Sequence, residues 1–463
     1  MGLDDILLNK ISSIVGQRGL LTGEDVTARS CDPFTHLPPR SRAIIRPNST
    51  GEVASVMALC HGANQRIVFH GGCTGVAGGA IAGVNDIVLS LERMNRVVDI
   101  DPVGMTMLVE AGATLEAVQN AAASHGLLYP IDLGSKGSAT IGGTIATNAG
   151  GNRVIRWGMT RQNVSGLEAV LADGTVVTQL NRFLKNNTGY DLKQFFIGSE
   201  GTLGVVTNAV LKLVPAPSTQ NVAFASVPSF EALLELLVLA RRMPQLSAFE
   251  VMWQDYYALV AEHDATRRPL APELPFYVLV EAMGYDEEGD ERRFTLFLEE
   301  AFERGLIADA LPAQSGKQAA DLWRVREASD ILVREMGPFI SFDVSVDVRR
   351  AEDFVNSVRT ALHEHFALVR SIAFGHLGDS NIHIGVHIGP DTLRHAFEIE
   401  DCVYGVVSQF GGALTAEHGV GTAKRHFLSN HISAQSLATM GLIRHALDPN
   451  RRLNPEVLFP SKA

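Results

Sequence analysis

Hydrophobic and polar positions alternate along this chain with two periods, and the change of period marks its elements. Residues 1–40 read as helix followed by a polar loop at Pro38 and Pro39. From Ala43 onward short apolar runs trade places with amphipathic stretches. The pattern predicts a strand at Ala43–Arg46, a helix at Thr50–Ala63 and a strand at Arg66–His70. Strands follow at Ile87–Ser90, Val97–Asp101 and Met107–Glu110. A helix at Leu115–His125 then closes on Gly126, since glycine accepts the left-handed angles of a helix end. Within residues 164–179, VSGLEAVLA and TVVTQ flank Asp173-Gly174, the strongest short hairpin signal. Val205–Leu213 is a further strand, and it ends at Pro215-Ala216-Pro217, a breaker that predicts a domain boundary.

Beyond that breaker helices at Ser229–Arg242 and Glu288–Arg304 are interleaved with strands at Phe276–Glu281, Phe339–Val348 and Ser371–Phe374, the texture of an α+β domain. The last ~50 residues read as helix and close with LDPNRRLNPEVLFP. The expected division is therefore 1–216, 217–410 and 411–463. The fold class is α+β, and two or three domains suit a chain of 463 residues.

Composition narrows the function classes. The chain is 46% hydrophobic and 19% charged, which describes a well-buried protein. No apolar run reaches the ~18 residues of a membrane span, and the acidic start MGLDD is unlike a secretory signal. A formal charge of -12 argues against nucleic acid as partner. Cys31, Cys60, Cys73 and Cys402 are scattered without framework spacing, which fits a reducing compartment and a cytoplasmic location.

The 43 glycines are clustered. HGGCTGVAGGA occupies 70–80, GSKGSATIGG runs from 134 to 143 and continues to NAGG at 148–151, and GSEGTLG spans 198–204. Glycine lets backbone N–H groups approach an anion closely. One such loop is an ordinary turn, but three with interleaved Ser, Thr and Asn donors predict a large ligand carrying a pyrophosphate. Neither a Walker lysine nor an early GxGxxG is present, so P-loop and Rossmann architectures are excluded.

GGCTGVAGGA, PIDLGSKGSATIGGTIATNAGG and NNTGYDLKQFFIGSEGTLGVVT together resemble the FAD-binding domain of the vanillyl-alcohol oxidase / p-cresol methylhydroxylase superfamily. PIDLGSKGS and NNTGYDLKQ are similar to its D-2-hydroxyglutarate and D-lactate dehydrogenase branch. The resemblance implies a PCMH-type FAD-binding domain over 1–216 and a substrate cap over 217–410. The segment 411–463 would pack back on the FAD domain. It also implies that Gly71, Gly72, Thr74 and Gly75 hold the pyrophosphate, with Cys73 in the cofactor-binding set. Pro130, Asp132, Gly134, Ser138, Ile141, Gly142, Gly143, Thr147, Asn148, Gly150 and Gly151 would line the isoalloxazine and ribityl chain. Glu200, Gly201 and Val206 fall on the adenine side, and Asn454 joins the cofactor set. Some relatives attach FAD through a histidine after the paired glycines. Cys73 stands there, so a histidyl link is excluded and a non-covalent cofactor is expected, a cysteinyl link being the alternative.

A second cluster is GHLGDSNIH at 375–383, followed by TAEHGVGTAK at 415–424. The first reads as two strands joined by a four-residue turn, with His376 opposite Asn381 and diagonal to His383 on one face. Two such imidazoles can share a metal with Glu417 as third ligand, or they can simply be hydrogen-bonded histidines of a hairpin. The resemblance favours the metal, because these motifs are where the family carries its ligands. Zinc suits the donor set, with manganese or cobalt as substitutes. His418 cannot point where Glu417 points. It is assigned as the base for the hydroxyl proton while hydride leaves for flavin N5, the alternative being a capping histidine. A 2-hydroxy acid also needs a carboxylate clamp, and in LWRVREA at 322–328 the matching position is Arg326. Asn381 is assigned to the substrate as well.

Departures from the family pattern bear on the acid. Relatives that take a five-carbon dicarboxylate have a threonine where this chain has Asp330, a lysine where it has Ser341 and an asparagine where it has Gly385. Loss of a cation disfavours a distal carboxylate, so a smaller or less charged acid such as D-lactate is expected. The resemblance further implies a separate electron acceptor, an electron-transfer flavoprotein or a quinone. A homodimer is compatible with it. Other readings of the same residues are a metal-dependent hydrolase, a non-redox flavoenzyme of the same fold, and a binding module.

Overall fold

A computed structural model describes residues 3–33, 36–264 and 268–459, with side chains from residue 6. The remaining residues, which include parts of the expected 1–40 helix and the final residues of the closing segment, lie outside this description. Contacts divide the chain into two units: Met1–Gly151 with Gly158–Ala216 and Glu417–Ala463, and Asn152–Trp157 with Pro217–Ala416. Two boundaries thus differ from expectation. Residues 411–416 pack with the second unit because Ala413 bridges to Ser345. The short piece Asn152–Trp157 joins it because Arg153 pairs with buried Glu281 at 2.9 Å.

The first unit is built on two sheets. One has the order Leu20–Thr22, Ala43–Ile45, Asp86–Ser90, Arg66–His70. Its last three strands run parallel, as a crossover helix requires. That helix, Thr50–Gly62, is started by Ser49, whose side chain accepts from the Glu52 N–H. It buries Val53, Val56, Met57 and Cys60, one stripe at helical spacing. Leu20–Thr22 lies inside the region read as helix, and its three residues pair antiparallel with Ala43–Ile45. Three residues are too few for periodicity to separate a strand from a helix, so only the partner strand decides.

The other sheet is antiparallel, in the order Val97–Asp101, Thr106–Glu110, Val205–Lys212, Val164–Val170, Val176–Gln179. Its hairpin turns at Asp173-Gly174, where Gly174 has φ 89° and the Asp173 carboxylate accepts from the Thr175 N–H. The C-terminal residues are less helical than their pattern suggests. Ala434–Leu447 is a full helix and Leu428–His431 a single turn. Residues 417–427 and 448–459 are irregular, and specific side-chain bonds hold them in place.

The second unit is a seven-stranded antiparallel sheet with its helices. The strand order is Asp309–Pro312, Thr219–Val227, Phe276–Gly284, Leu246–Trp253, Arg370–His376, Asn381–His387, Ile340–Ser345. Successive side chains leave a strand on opposite faces. One face presents Phe276, Val278, Phe342 and Val344 to a helical layer, with Phe230 of Phe230–Ala240 on Phe276 and Tyr404 of Ala396–Gln409 on Phe342. The other presents Phe224, Met252, Tyr277, Leu279 and Ile372, which pack with Tyr256, Trp323 and Ile331. This second face also carries buried ionisable side chains. Among the described residues no helix is long and apolar enough to cross a membrane.

Candidate functional site

The first unit contains a cleft whose space, its open mouth included, is roughly 1130 Å³. Its wall is mostly backbone and small side chains. Gly71, Gly72, Cys73, Thr74 and Gly75 line it, as do Gly142, Gly143, Thr147, Glu200, Gly201, Val206, Asn454 and His418. The 71–75 loop is fixed by close approach. A Cβ on Gly72 would stand 1.9 Å from the Ser138 carbonyl oxygen, and one on Gly71 would stand 2.5 Å from Thr140 Oγ1. Cys73 takes a left-handed φ of 51°, which turns the loop over. A Cβ on Gly75 would meet no protein atom, so this side of the loop opens on free space. These are the features of a cradle for a phosphorylated ligand, and they fit FAD. Burial pushes the Cys73 thiol up to about 12, so it stays neutral.

Not every expected cofactor residue reaches the cleft. Ile141 is fully buried in the hydrophobic core. Asn148 ends the helix Ile141–Thr147 in a left-handed conformation and accepts from the Arg161 N–H, a structural task. Asp132 and Gly151 form a β-bridge that shapes the loop, Pro130 is buried, and Ser138 contributes its carbonyl as the stop against Gly72. Gly134 and Gly150 do not line the cleft either. His70, Leu133, Thr140 and Thr144 do line it and were not foreseen. Their signal was weak, because each reads as an ordinary strand end or helix cap.

The irregular 417–421 segment is held from two sides. The Glu417 carboxylate accepts the Gly151 N–H at 2.8 Å. Glu200 accepts from the Val420 and Gly421 N–H groups at 2.9 and 2.7 Å. Burial pushes the Glu200 carboxyl above its ordinary range, while those two N–H groups and Lys424 pull it back. Between these anchors His418 lines the cleft. Asn454 is fastened too: its Oδ1 accepts from the Phe69 N–H at 2.9 Å and its amide donates to the Glu200 carbonyl at 2.7 Å. Buried Arg444 donates to the Leu453 carbonyl at 3.0 Å and thereby holds the turn before Asn454.

The second unit gathers side chains instead. Arg370–His376 and Asn381–His387 are joined by the 3-10 turn Leu377–Asp379, with His376 opposite Asn381 and Phe374 opposite His383. The two imidazoles thus share a face, 5.4 Å apart between ring centres, with ligand nitrogens within 4.8 Å. On the neighbouring strand Asp343 pairs with His383 and Ser341 with Gly385, so all four positions lie on that same face. Asp343 also anchors the end of the unit. Its carboxylate accepts from Thr415 Oγ1 at 3.0 Å and its carbonyl from the Ala416 N–H at 3.2 Å. Glu417 follows directly in the chain.

Behind the histidines sits a residue that the sequence pattern passed over. Glu250, 1% exposed in the strand Leu246–Trp253, accepts from His376 Nδ1 and from Arg326 Nε, both at 2.8 Å. Arg326 is the last residue of the helix Gly316–Arg326, and its guanidinium lies 4.7 Å over the Phe374 ring. The signal was a single acid in an otherwise apolar strand, LSAFEVMW. Glu281 in FYVLVEAMG gives the same signal and has a different task. It accepts from Arg153, Gln220, Ser247 and Trp323. Burial alone would raise its carboxyl, but Arg153 and these hydrogen bonds bring it below the usual range.

Two expected substrate residues sit differently. Asp330 does not continue the Arg326 helix, which stops before Glu327. It stands exposed in the first turn of a separate helix, Ser329–Met336, where a carboxylate suits the helix dipole. Asn381 is 3% exposed, and neither atom of its amide has a hydrogen-bond partner among the described residues. A buried amide in that state calls for a partner, whether a ligand or a water.

Comparison with known proteins gives a consistent result. Residues 41–179 match the family model described as FAD binding domain, and residues 216–458 match FAD linked oxidases, C-terminal domain. A D-2-hydroxyglutarate dehydrogenase of Xanthomonas citri pv. viticola is 39% identical over 427 residues, covering 91% of this chain and 90% of the relative. The mitochondrial D-2-hydroxyglutarate dehydrogenase of Bos taurus is 36% identical, covering 98% and 84%. A putative mitochondrial D-lactate dehydrogenase of Schizosaccharomyces pombe is 35% identical, covering 96% and 88%. Among solved structures, p-cresol methylhydroxylase with substrate bound has a TM-score of 0.76 at 17% identity, covering 99% of this chain and 97% of that one. At that identity the likeness speaks for the fold.

Proposed function

The chain belongs to the FAD-linked D-2-hydroxyglutarate and D-lactate dehydrogenase branch of the vanillyl-alcohol oxidase / p-cresol methylhydroxylase superfamily, and on that premise we propose its reaction in detail. It oxidises a D-2-hydroxy acid to the 2-oxo acid, with FAD bound without a covalent link and a divalent metal assisting. The observation that carries this reading is the buried array of Arg326, Glu250 and His376 beside His383 on one sheet face.

When bound, FAD supplies the acceptor for the two electrons that leave the substrate carbon. A divalent metal, zinc by preference, supplies Lewis acidity toward the substrate hydroxyl, with His376, His383 and Glu417 as its donors. Arg326 holds the substrate carboxylate. Its Nε is spent on Glu250, and the outer edge of the guanidinium offers the paired donors a carboxylate prefers. Asn381 offers an amide to a substrate oxygen. His418 takes the hydroxyl proton, and the Glu200 anchor on the following backbone limits how far its segment can move. The neutral Cys73 thiol is a poor nucleophile, which supports a cofactor without a covalent bond. A separate acceptor, an electron-transfer flavoprotein or a quinone, removes the electrons.

For the acid itself we favour a small or weakly charged side group such as that of D-lactate. Ser341 and Gly385 face each other in register on the site face, where neither supplies a cation for a second carboxylate. Steady-state kinetics on D-lactate, longer neutral 2-hydroxy acids and D-2-hydroxyglutarate test this after chelation and ion-by-ion restoration. The expected result is activity that returns with zinc, manganese or cobalt and a higher kcat/KM for D-lactate. A clear preference for D-2-hydroxyglutarate would sink the substrate assignment, and full activity in chelated, metal-free enzyme would sink the metal.

A further inference from the structure

Glu250 is not explained by stability. Burying a carboxylate is costly, and exchange of a buried ion pair for apolar side chains is often neutral or stabilising. The strand around it is apolar, with Ala248, Phe249, Val251 and Met252 all buried. Glu281, on the neighbouring strand Phe276–Gly284, shows what a structural acid looks like here: Arg153, Gln220, Ser247 and Trp323 all donate to it. Among the described residues Glu250 accepts from His376 and Arg326, each at 2.8 Å, and both belong to the site.

We propose that Glu250 is the positioning residue that fixes the metal-binding histidine and the carboxylate-binding arginine relative to each other. Its carboxylate can only accept, so the proton of neutral His376 stays on Nδ1 and Nε2 carries the lone pair. A carboxylate behind a ligand histidine also fixes the ring and strengthens it as a donor to the metal. Through the same carboxylate Arg326 is oriented at Nε, and its plane is set by the Phe374 ring, 4.7 Å away. Phe374 in turn stands 5.1 Å from His383, so both histidines and the arginine are tied into one group. A 2-hydroxy acid presents its carboxylate and hydroxyl on adjacent carbons, and a fixed spacing between the two anchors matches that substrate class.

The proposal rests on the metal-assisted reading of the site, and the experiment separates the two. FAD-loaded wild type, Glu250→Gln and Glu250→Asp are stripped of metal, titrated with Zn²⁺ by calorimetry, then assayed with the preferred acid. A glutamine has no charge and a single acceptor oxygen, with an N–H₂ donor group where the second carboxylate oxygen stood, and an aspartate falls a methylene short. The expected result is a zinc dissociation constant raised about 10- to 100-fold in Glu250→Gln, with a smaller rise in Glu250→Asp. KM should rise in both, while FAD content and melting temperature of Glu250→Asp stay near wild type. If Glu250→Gln fails to fold, Glu250→Asp decides. Wild-type zinc affinity and KM in the folded variants overturn the proposal and leave the metal reading standing. A wild type that binds no zinc, manganese or cobalt overturns both.

Discussion

The cleft of the first unit and the sheet face of the second are built from different materials. The cleft is walled by glycine backbone, with Gly71, Gly72, Gly75, Gly142, Gly143 and Gly201 on its surface. The sheet face carries Arg326, Glu250, His376, His383 and Asp343, whose positions depend on one another through side-chain bonds and strand register. Proline apart, no substitution deletes a backbone N–H group, so the first kind of site is damaged chiefly by added atoms. The second kind is damaged by removed ones. This contrast follows from chemistry: a long, multiply contacted cofactor needs many weak donors, while a small acid needs a few strong ones in fixed relation.

The largest expected effect tests the exception within the cleft. His418 is the side chain there to which we assign proton transfer. Replacement by glutamine should lower kcat by about 100- to 10,000-fold with FAD content unchanged. Loss of the flavin spectrum instead would mean that His418 builds the cleft rather than using it.

Next in size is removal of an acid from the second unit. Glu281→Ala leaves Arg153, Gln220, Ser247 and Trp323 without their acceptor. Denaturant unfolding should show a loss of about 3–5 kcal/mol, the usual cost of breaking a buried pair. A change below about 1 kcal/mol, on the order of a surface pair, would show that the network is dispensable.

A smaller effect comes from an added atom in the cleft. Gly72→Ala forces a Cβ to within 1.9 Å of the Ser138 carbonyl oxygen unless the loop shifts. Such overpacking costs about 1–3 kcal/mol, which should appear as a roughly 10- to 100-fold weaker hold on FAD. Retention of full FAD content through dialysis would argue against a cleft set by backbone contact.

Smallest is a charge in the second unit that acts through pH. Asp290 is held at about 2: burial would raise its carboxyl, but Arg293, the Asp286 backbone, Thr219 and Gln245 outweigh it. The folded value lies below the unfolded one of about 3.9, so its stabilisation is present above about pH 4 and is lost as pH falls toward 2. Solvent around the half-exposed Arg293 screens the pair, which leaves a contribution of about 1–2 kcal/mol. Unfolding of wild type and Asp290→Asn at neutral pH and in acid should show a gap that narrows in acid. A gap independent of pH would remove the charge from the explanation.

The legible parts of this protein were those written in local chemistry. The hairpin at Asp173-Gly174, the stripe Val53, Val56, Met57, Cys60 and the pair His376 and His383 across a short turn each lie within one or two elements. Periodicity and turn residues specify such features directly. The glycine loops announced a phosphorylated ligand because glycine is the residue that leaves room for such contact. Local sequence was therefore enough for much of the element pattern and for the shared face of His376 and His383. Folding in three dimensions chose what those residues rest on. Leu20–Thr22 became a strand because Ala43–Ile45 offered it an edge. Asp330 left the Arg326 helix because that helix stops before Glu327. Glu250 reached Arg326 and His376, far from it in the chain, because the strand order placed Leu246–Trp253 beside Arg370–His376. Spacing along a chain reports neighbours within a few residues, and a buried carboxylate finds its partners only after the sheet has formed.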